Sequence, residues 1–204
     1  MAIITVPSTV HFETVETFRL QRGGLTLRSR YNGRRQAVVF PFALWVFEGS
    51  LLPKSGTDAG LWRSFLVQLD GQKNTFRLPV PGHAKPLSGF TYSTANVMVQ
   101  TAAVAGAQSI SVGVSIGNVP LFVEGDYFTV NDELKVATAP VTLNGSGIAT
   151  VSFKPALRRP VTPGTVVTVF NPTMLMQDQD DGTGWGLSRP VQHGIKLKLM
   201  EAYE

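Results

Sequence analysis

Between Gly60 and Pro81 the apolar residues change period once, and that change limits where this chain can hold a helix. Leu61, Trp62, Phe65, Leu66 and Leu69 recur at the spacing of one helical face. Asp58 stands ahead of them, where a short carboxylate can accept from the free amides of a first turn. Asp70-Gly71 supplies the permissive backbone of a C-terminal stop, and Asn74 to Leu78 then alternates like a strand with Phe76 and Leu78 on one face. The spacing predicts a helix over 58–70 that feeds directly into a strand. A helix of about three turns is not stable alone in water. Trp62, Phe65, Leu66, Leu69 and Phe76 are therefore expected core residues, packed against a sheet. An aromatic ligand box built on the same rings is the competing reading, but no polar group converges beside them.

The rest of the chain reads as strands. Ile3, Ile4 and Val6 form a short apolar run. Phe18-Arg19-Leu20 and Leu25-Thr26-Leu27 alternate on either side of Gly23-Gly24, which predicts a hairpin turning at the glycines. Asn32-Gly33 is a second turn signal, because both residues tolerate positive φ. The run QAVVFPFALWVFEGSLL, residues 36–52, is rich in β-branched and aromatic residues, but Pro41 cannot donate to a ladder. It predicts a strand to Phe40, a break at Pro41 and a second strand through Trp45, a further core residue, with Val46 and Phe47.

Pro79-Val80-Pro81-Gly82 and Pro86 mark an exit from this first region. From Thr91 to Phe170 the short apolar runs Val97–Val99, Ser109–Val114, Tyr127–Val130, Leu134–Thr138, Ile148–Phe153 and Thr165–Phe170 alternate with Gly, Asn and Pro turns. Such spacing predicts a small all-β barrel or sandwich. The last segment, Ile195 to Met200, returns to strict alternation after a polar loop over 177–189, and an unpaired final strand would expose its edge. The chain is thus expected to be mainly β. Residues 1–90 and 177–204 form a barrel or sandwich domain with one short helix, and 91–176 form an inserted small β domain.

With 204 residues, 43% hydrophobic and only 16% charged, the chain can bury a sizeable core and is expected to hide some apolar surface under partner chains. It has no cysteine, which excludes disulfides, thiolate metal sites and cysteine nucleophiles together. The net charge is +4, and Arg19, Arg22, Arg28, Arg30, Arg34 and Arg35 follow one another without an intervening acid. Phosphate contact is one use for such a run. The arginines are interleaved with strand residues, however, rather than with a recognition helix or stacking aromatics, so a solvated or inter-subunit strand face is preferred and sequence-specific nucleic-acid binding is not expected. No signal peptide opens the chain and no apolar run reaches membrane-spanning length, so it is expected to be soluble and not membrane-inserted.

No catalytic constellation is apparent. His11, His83 and His193 stand apart, without the convergent donors of a zinc site. Asp178, Asp180 and Asp181 with Gly182 resemble an oxygen-rich cation loop but lack the spacing and closing acid of an EF-hand, which leaves a solvated loop as the plainer reading. Glu124 with Asp126, and Asp132 with Glu133, are carboxylate pairs of a kind that act on sugars, yet both stand in ordinary turn sequences. No nucleophile elbow, phosphate loop or dinucleotide fingerprint is present. Neither enzymatic activity nor a cofactor or metal is expected.

Several motifs together carry a resemblance. Ser29-Arg30-Tyr31-Asn32-Gly33 followed by Gln36, Trp45 ahead of a proline-containing loop, and W-R-S-F-L-x-x-L-D-G-Q-x-N-T-F-R-L-P from Trp62 to Pro79 resemble minor tail proteins of tailed bacteriophages. Glu124-Gly125-Asp126-Tyr127-Phe128, Lys154-Pro155-Ala156-Leu157-Arg158 and Asn171-Pro172-Thr173-Met174-Leu175-Met176 are similar to that group's inserted β domain. The resemblance covers most of the chain from Thr17 onward. It implies a virion structural protein at the distal end of the tail, a distal tail protein of the baseplate, assembled in the host cytoplasm. Such a protein forms a homo-oligomeric ring, a hexamer, that joins the tail tube protein to hub and fibre proteins. No catalytic residue comes with the resemblance. Arg28, Arg30, Arg34 and Arg35 are the expected interface or lumen contacts. The alternative is a carbohydrate-binding module at the host surface, with Tyr92, Tyr127 or Trp185 stacking on sugar faces.

Overall fold

The computed structural model describes residues 2–7, 12–93, 96–179, 186–188, 191–193 and 195–202. The fold is mainly β with one helix among those residues. The chain divides into two compact units, Met1–Arg77 with Met176–Glu204, and Leu78–Leu175. The second unit thus takes in residues 78–90, ahead of the Thr91 start expected for the inserted domain.

The first unit holds β1 (Ile3–Ile4), β2 (Phe12–Arg28), β3 (Arg35–Leu51), β4 (Lys54–Ser55), α1 (Gly56–Leu69) and β5 (Thr75–Pro79). The second holds β6 (Met98–Val99), β7 (Ser109–Gly113), β8 (Pro120–Phe122), β9 (Tyr127–Val130), β10 (Glu133–Ala137), β11 (Val141–Thr142), β12 (Ile148–Lys154) and β13 (Val167–Thr168). The chain returns to the first unit through β14 (Thr173–Asp178), then β15 (Gly186–Ser188), β16 (Val191–His193) and β17 (Lys196–Glu201).

The main sheet of the first unit runs β1-β5-β14-β17-β3-β2. The C-terminal strand does pair back into it, with Lys196 to Met200 antiparallel to Ser50 to Val46 of β3. A small second sheet, β15-β16-β4, lies in the same unit. The expected core residues are all buried: Trp45, Trp62, Phe65, Leu66, Leu69 and Phe76. Trp62 meets Phe65 edge-on at 5.4 Å, and Phe65 meets Phe76 edge-on at 5.2 Å, so the helix is locked to the strand that follows it.

Two details of the helix differ from expectation. Its N-cap is Ser55, which has an extended backbone and makes no side-chain cap bond, while Asp58 lies inside the first turn. There its charge suits the positive end of the helix dipole without capping it. Leu61 is exposed rather than part of the core, because the buried stripe of Ala59, Trp62, Phe65, Leu66 and Leu69 leaves it on the flank. The stop stands where Asp70-Gly71 places it, with Asp70 in the left-handed region at φ 51° and Asn74 donating its side-chain amide to the Gln68 carbonyl at 2.9 Å.

The larger correction concerns the first hairpin. Gly23-Gly24 is not a turn and Pro41 is not a break: β2 and β3 are each 17 residues long and pair from Phe12↔Leu51 to Arg28↔Arg35. Between the pairs Arg22↔Ala43 and Gly24↔Val39, Phe40-Pro41-Phe42 stands opposite Gly23 alone. A bulge needs no ladder donor from its extra residues, which is how β3 admits a proline. The Phe42 ring lies where a Cβ on residue 23 would stand, so glycine there makes room for an aromatic side chain rather than for a turn. The turn itself is Asn32-Gly33, with Gly33 at φ 68° and the Ser29 amide donating to the Arg34 carbonyl at 2.9 Å.

In the second unit one sheet runs β13-β9-β10-β12-β7-β6, and an antiparallel bridge from Met98 to Val166 brings its two ends together into a small barrel. Its core includes Phe122, Phe128 and Phe153, stacked or edge-on at 5.1 and 5.7 Å. β8 and β11 form a separate pair that the turn spacing did not reveal. Val130 pairs with Glu133 across Asn131 and Asp132, both at positive φ (53° and 62°), a tight turn of the kind whose twist suits a hairpin.

Candidate functional site

The distal part of the β2–β3 ribbon gathers the sequence-predicted arginines. From Gly24 round to Phe40 every described residue is exposed except Ser29, which is half-buried. Residues opposite one another in an antiparallel pair share a face. The register Leu25↔Val38 and Leu27↔Gln36 therefore makes one face of this arm apolar, and Phe40 and Phe42 stack at 6.1 Å near its root. Leu25 and Leu27 are about half exposed, at 52% and 51%. The other face carries Thr26↔Ala37 and Arg28↔Arg35. Arg28, Ser29, Arg30 and Gly33 surround an open hollow at the tip, and Tyr31 beside it is fully exposed.

Physically this arm is incomplete. A two-stranded ribbon with nothing on either face is marginal in water. Two like charges directly opposite across a strand pair repel. Neither Arg28 nor Arg35, nor Arg30 or Arg34, pairs with a carboxylate among the described residues. Moreover, among the described residues β2 is the outer strand of the sheet, and no described strand pairs with its outward edge. What the arrangement can do is bind: it offers leucines, an aromatic pair, guanidinium groups and backbone donors to something that would cover them.

The second unit contains polar clusters of another kind. Asp126 is buried and accepts from the amides of Leu87 at 2.7 Å and Val123 at 2.8 Å. His83, also buried, accepts at Nε2 from the Tyr127 amide at 3.2 Å, and that nitrogen lies 3.6 Å from Asp126. Desolvation pushes the His83 pKa down, against a smaller upward pull from Asp126. Glu133 and Lys135 form a buried ion pair, and Glu133 also accepts from the amides of Arg158 and Arg159 at 3.0 and 3.1 Å. The carboxylates grouped by sequence thus separate. Glu124 is exposed while Asp126 holds a loop, and Glu133 is a buried strand residue rather than a turn residue beside Asp132. Asp126, Glu133 and Glu201 each accept from backbone amides, and no group of three or more His, Asp or Glu side chains among the described residues could hold a metal ion.

Among the described residues, the rings expected to stack on sugars do not form a shared platform. Tyr92 leans on Phe90, with ring centroids at 5.4 Å. Tyr127 is half-buried, edge-on to His83 at 5.2 Å, with burial raising its pKa. Trp185, together with His11, Asp180, Asp181 and Gly182, lies outside the described residues. An open hollow of the second unit, about 670 Å³, is lined by Gln100, Ser115, Ser146, Met98, Ile116 and Ile148 among others, with no ring among its described lining residues.

Sequence reasoning missed the buried Glu133–Lys135 pair and the role of His83. The available signal for the first was the i, i+2 spacing of opposite charges in an otherwise apolar strand, Glu133-Leu134-Lys135-Val136, which places both on one face. No protein-family model matches this chain, and no curated protein matches it either.

Proposed function

We propose that this chain is a structural protein of a bacteriophage tail, and that its copies close into a ring at the distal end of the tail tube, joining tube to hub or fibres. The reading rests on the likeness of its motifs to minor tail proteins. One structural observation carries it: the exposed β2–β3 arm with the outward edge of β2, a surface that a lone copy leaves uncovered among the described residues. A ring satisfies such a surface at every position, because each copy presents its arm to one neighbour and receives the arm of another. The first unit then supplies the ring, and the barrel of the second is the part available to hub or fibre proteins. The apolar core and occupied carboxylates favour a mechanical role over a chemical one.

The test is the mass of the full-length chain in solution, by light scattering across a range of concentrations, with negative-stain electron microscopy of the same sample. A discrete closed multimer, six copies by the resemblance, is the expected result. A chain that stays monomeric at high concentration, or grows into open polymers, overturns the ring.

A further inference from the structure

The register of the arm separates two kinds of surface. Leu25, Leu27 and Val38 share one face, while Arg28 and Arg35 stand on the other with Thr26 and Ala37, all exposed. Arg28 lies directly opposite Arg35, which sets their Cβ atoms about 5 Å apart and two like charges side by side. The turn beyond them is closed by its own bonds. The Gly33 and Ser29 amides donate to the carbonyls of Ser29 and Arg34, and the Tyr31 and Arg34 amides donate to the side-chain oxygens of Ser29 and Asn32. This turn sets Arg30 beside Arg28 around an open hollow of about 560 Å³. No acid occurs from Thr17 to Phe47, and none of Arg28, Arg30, Arg34 and Arg35 pairs with a carboxylate among the described residues.

We infer that the arginine face of the arm binds nucleic acid through its phosphates, without regard to sequence. The separation of the two faces selects that occupant. A protein interface has an apolar core inside a polar rim. Here the leucines and Val38 point away on the far side of the ribbon, so the arginine face offers charge and hydrogen bonds with almost no apolar area. That is the balance of a backbone contact, in which arginine and hydroxyl side chains such as Thr26 meet phosphate oxygens. Charge complementarity points the same way. A phosphodiester chain repeats its charge and meets several guanidinium groups at once, and the two non-bridging oxygens of one phosphate can accept from both Arg28 and Arg35, which removes their repulsion. The face belongs to a single copy, so the inference does not depend on the ring: a neighbour that covers Leu25 and Leu27 leaves the arginines open.

The test titrates the full-length protein into short fluorescein-labelled DNA duplexes of two unrelated sequences and reads anisotropy across a salt series. Equal affinity for the two sequences, falling steeply as salt rises, is the expected result. Arg28→Gln with Arg35→Gln should weaken binding about tenfold near 0.1 M salt and lower the slope of log K against log salt by about two, one for each lost phosphate contact. Arg30→Gln with Arg34→Gln leaves the strand ladder untouched and should act in the same direction. Lys85→Gln with Lys196→Gln removes the same charge from exposed positions elsewhere and should change affinity by less than about twofold. Circular dichroism checks that each variant is folded. No binding at low salt overturns the inference, and so do equal losses from the arm and control variants, since net charge alone then accounts for the binding. Displacement of the duplex by poly-glutamate at equal charge concentration would assign the face to an acidic protein segment and also overturn it. Light scattering on the same samples keeps the two readings apart: a monomer that binds DNA through the arm retains this inference while the ring falls, and a closed multimer indifferent to DNA does the reverse.

Discussion

Lys135 Nζ lies 2.6 Å from Glu133 Oε2, and both side chains are about 1% exposed, so a full ion pair sits inside the small barrel of the second unit. Lys135 also donates to the Ala156 carbonyl at 2.9 Å, while Glu133 receives the amides of Arg158 and Arg159. The pair therefore ties the 156–159 segment to β10. Its value lies in being complete, since each charge was taken out of water to make it.

Removing one partner should cost far more than neutralising both. Lys135→Met alone leaves the buried Glu133 carboxylate with only the more distant Arg158 guanidinium, 3.8 Å away, and should destabilise the second unit by about 2–4 kcal/mol. Glu133→Gln with Lys135→Met keeps an oxygen for the two amides and removes both charges, so it should cost less than Lys135→Met by itself. Urea unfolding of the three proteins, followed by circular dichroism, checks the order. A strictly additive double variant would mean that the two side chains are not coupled.

His83 gives the second unit a pH dependence whose sign follows from its surroundings. Its Nε2 accepts a backbone amide, so it is held neutral, and burial lowers its pKa below the ordinary value of about 6.5. In the window just below that value the unfolded chain binds a proton that the folded chain refuses, and stability rises with pH there. The contribution is present above pH of about 6.5 and is lost as pH falls toward the folded pKa. Thermal melts between pH 7.5 and 5 should show the second unit weakening, and His83→Gln should flatten that slope. Equal slopes in the two proteins would mean that another group titrates.

Much of this fold can be read from residues whose local preference and tertiary role agree. Asp70-Gly71 ends the helix because a left-handed residue was needed there, and Asn32-Gly33 turns the ribbon for the same reason. Gly23-Gly24 and Pro41 misled because their usual meaning, turn and break, was overridden by each other: the glycine accepts the ring of Phe42, and the bulge frees Pro41 from donating. Neither is visible until the two strands are in register. The same holds for the site. The arginine run was legible as a charged strand face, but that Arg28 stands opposite Arg35, and Leu25 opposite Val38, depends on where the turn falls. Glu133 was hidden for a different reason, since beside Asp132 it reads as half of an acidic turn.

The bulge makes a prediction of its own. A methyl group on residue 23 would overlap the far end of the Phe42 ring, which is 44% exposed, so the ring must swing aside. The substitution should destabilise the first unit by about 0.5–1.5 kcal/mol, the cost of a side chain pushed off its rotamer. Phe42→Ala in the same chain removes the obstacle and should recover part of the loss. A Gly23→Ala protein as stable as the parent would show that the ring does not rest over residue 23.

The helix offers the sharpest contrast between neighbours in sequence. Leu61 and Phe65 are four residues apart, and helical periodicity alone gives them one face, yet Leu61 is half exposed and Phe65 is buried between Trp62 and Phe76. Truncating Phe65 to alanine removes both edge-on ring contacts and leaves a cavity in the core, which should cost about 3–5 kcal/mol. Truncating Leu61 removes surface already in water and exchanges one good helix former for a better one, so the change should stay within about 0.5 kcal/mol. Denaturant midpoints of the two variants check both values, and their difference is the informative quantity. A large loss at Leu61 would mean that its side chain is covered in solution, and since the monomer leaves it bare, the cover would have to come from a neighbouring copy. Repeating the measurement over a wide range of protein concentration would then separate that contact from the fold of the single chain, because only a contact between copies varies with concentration.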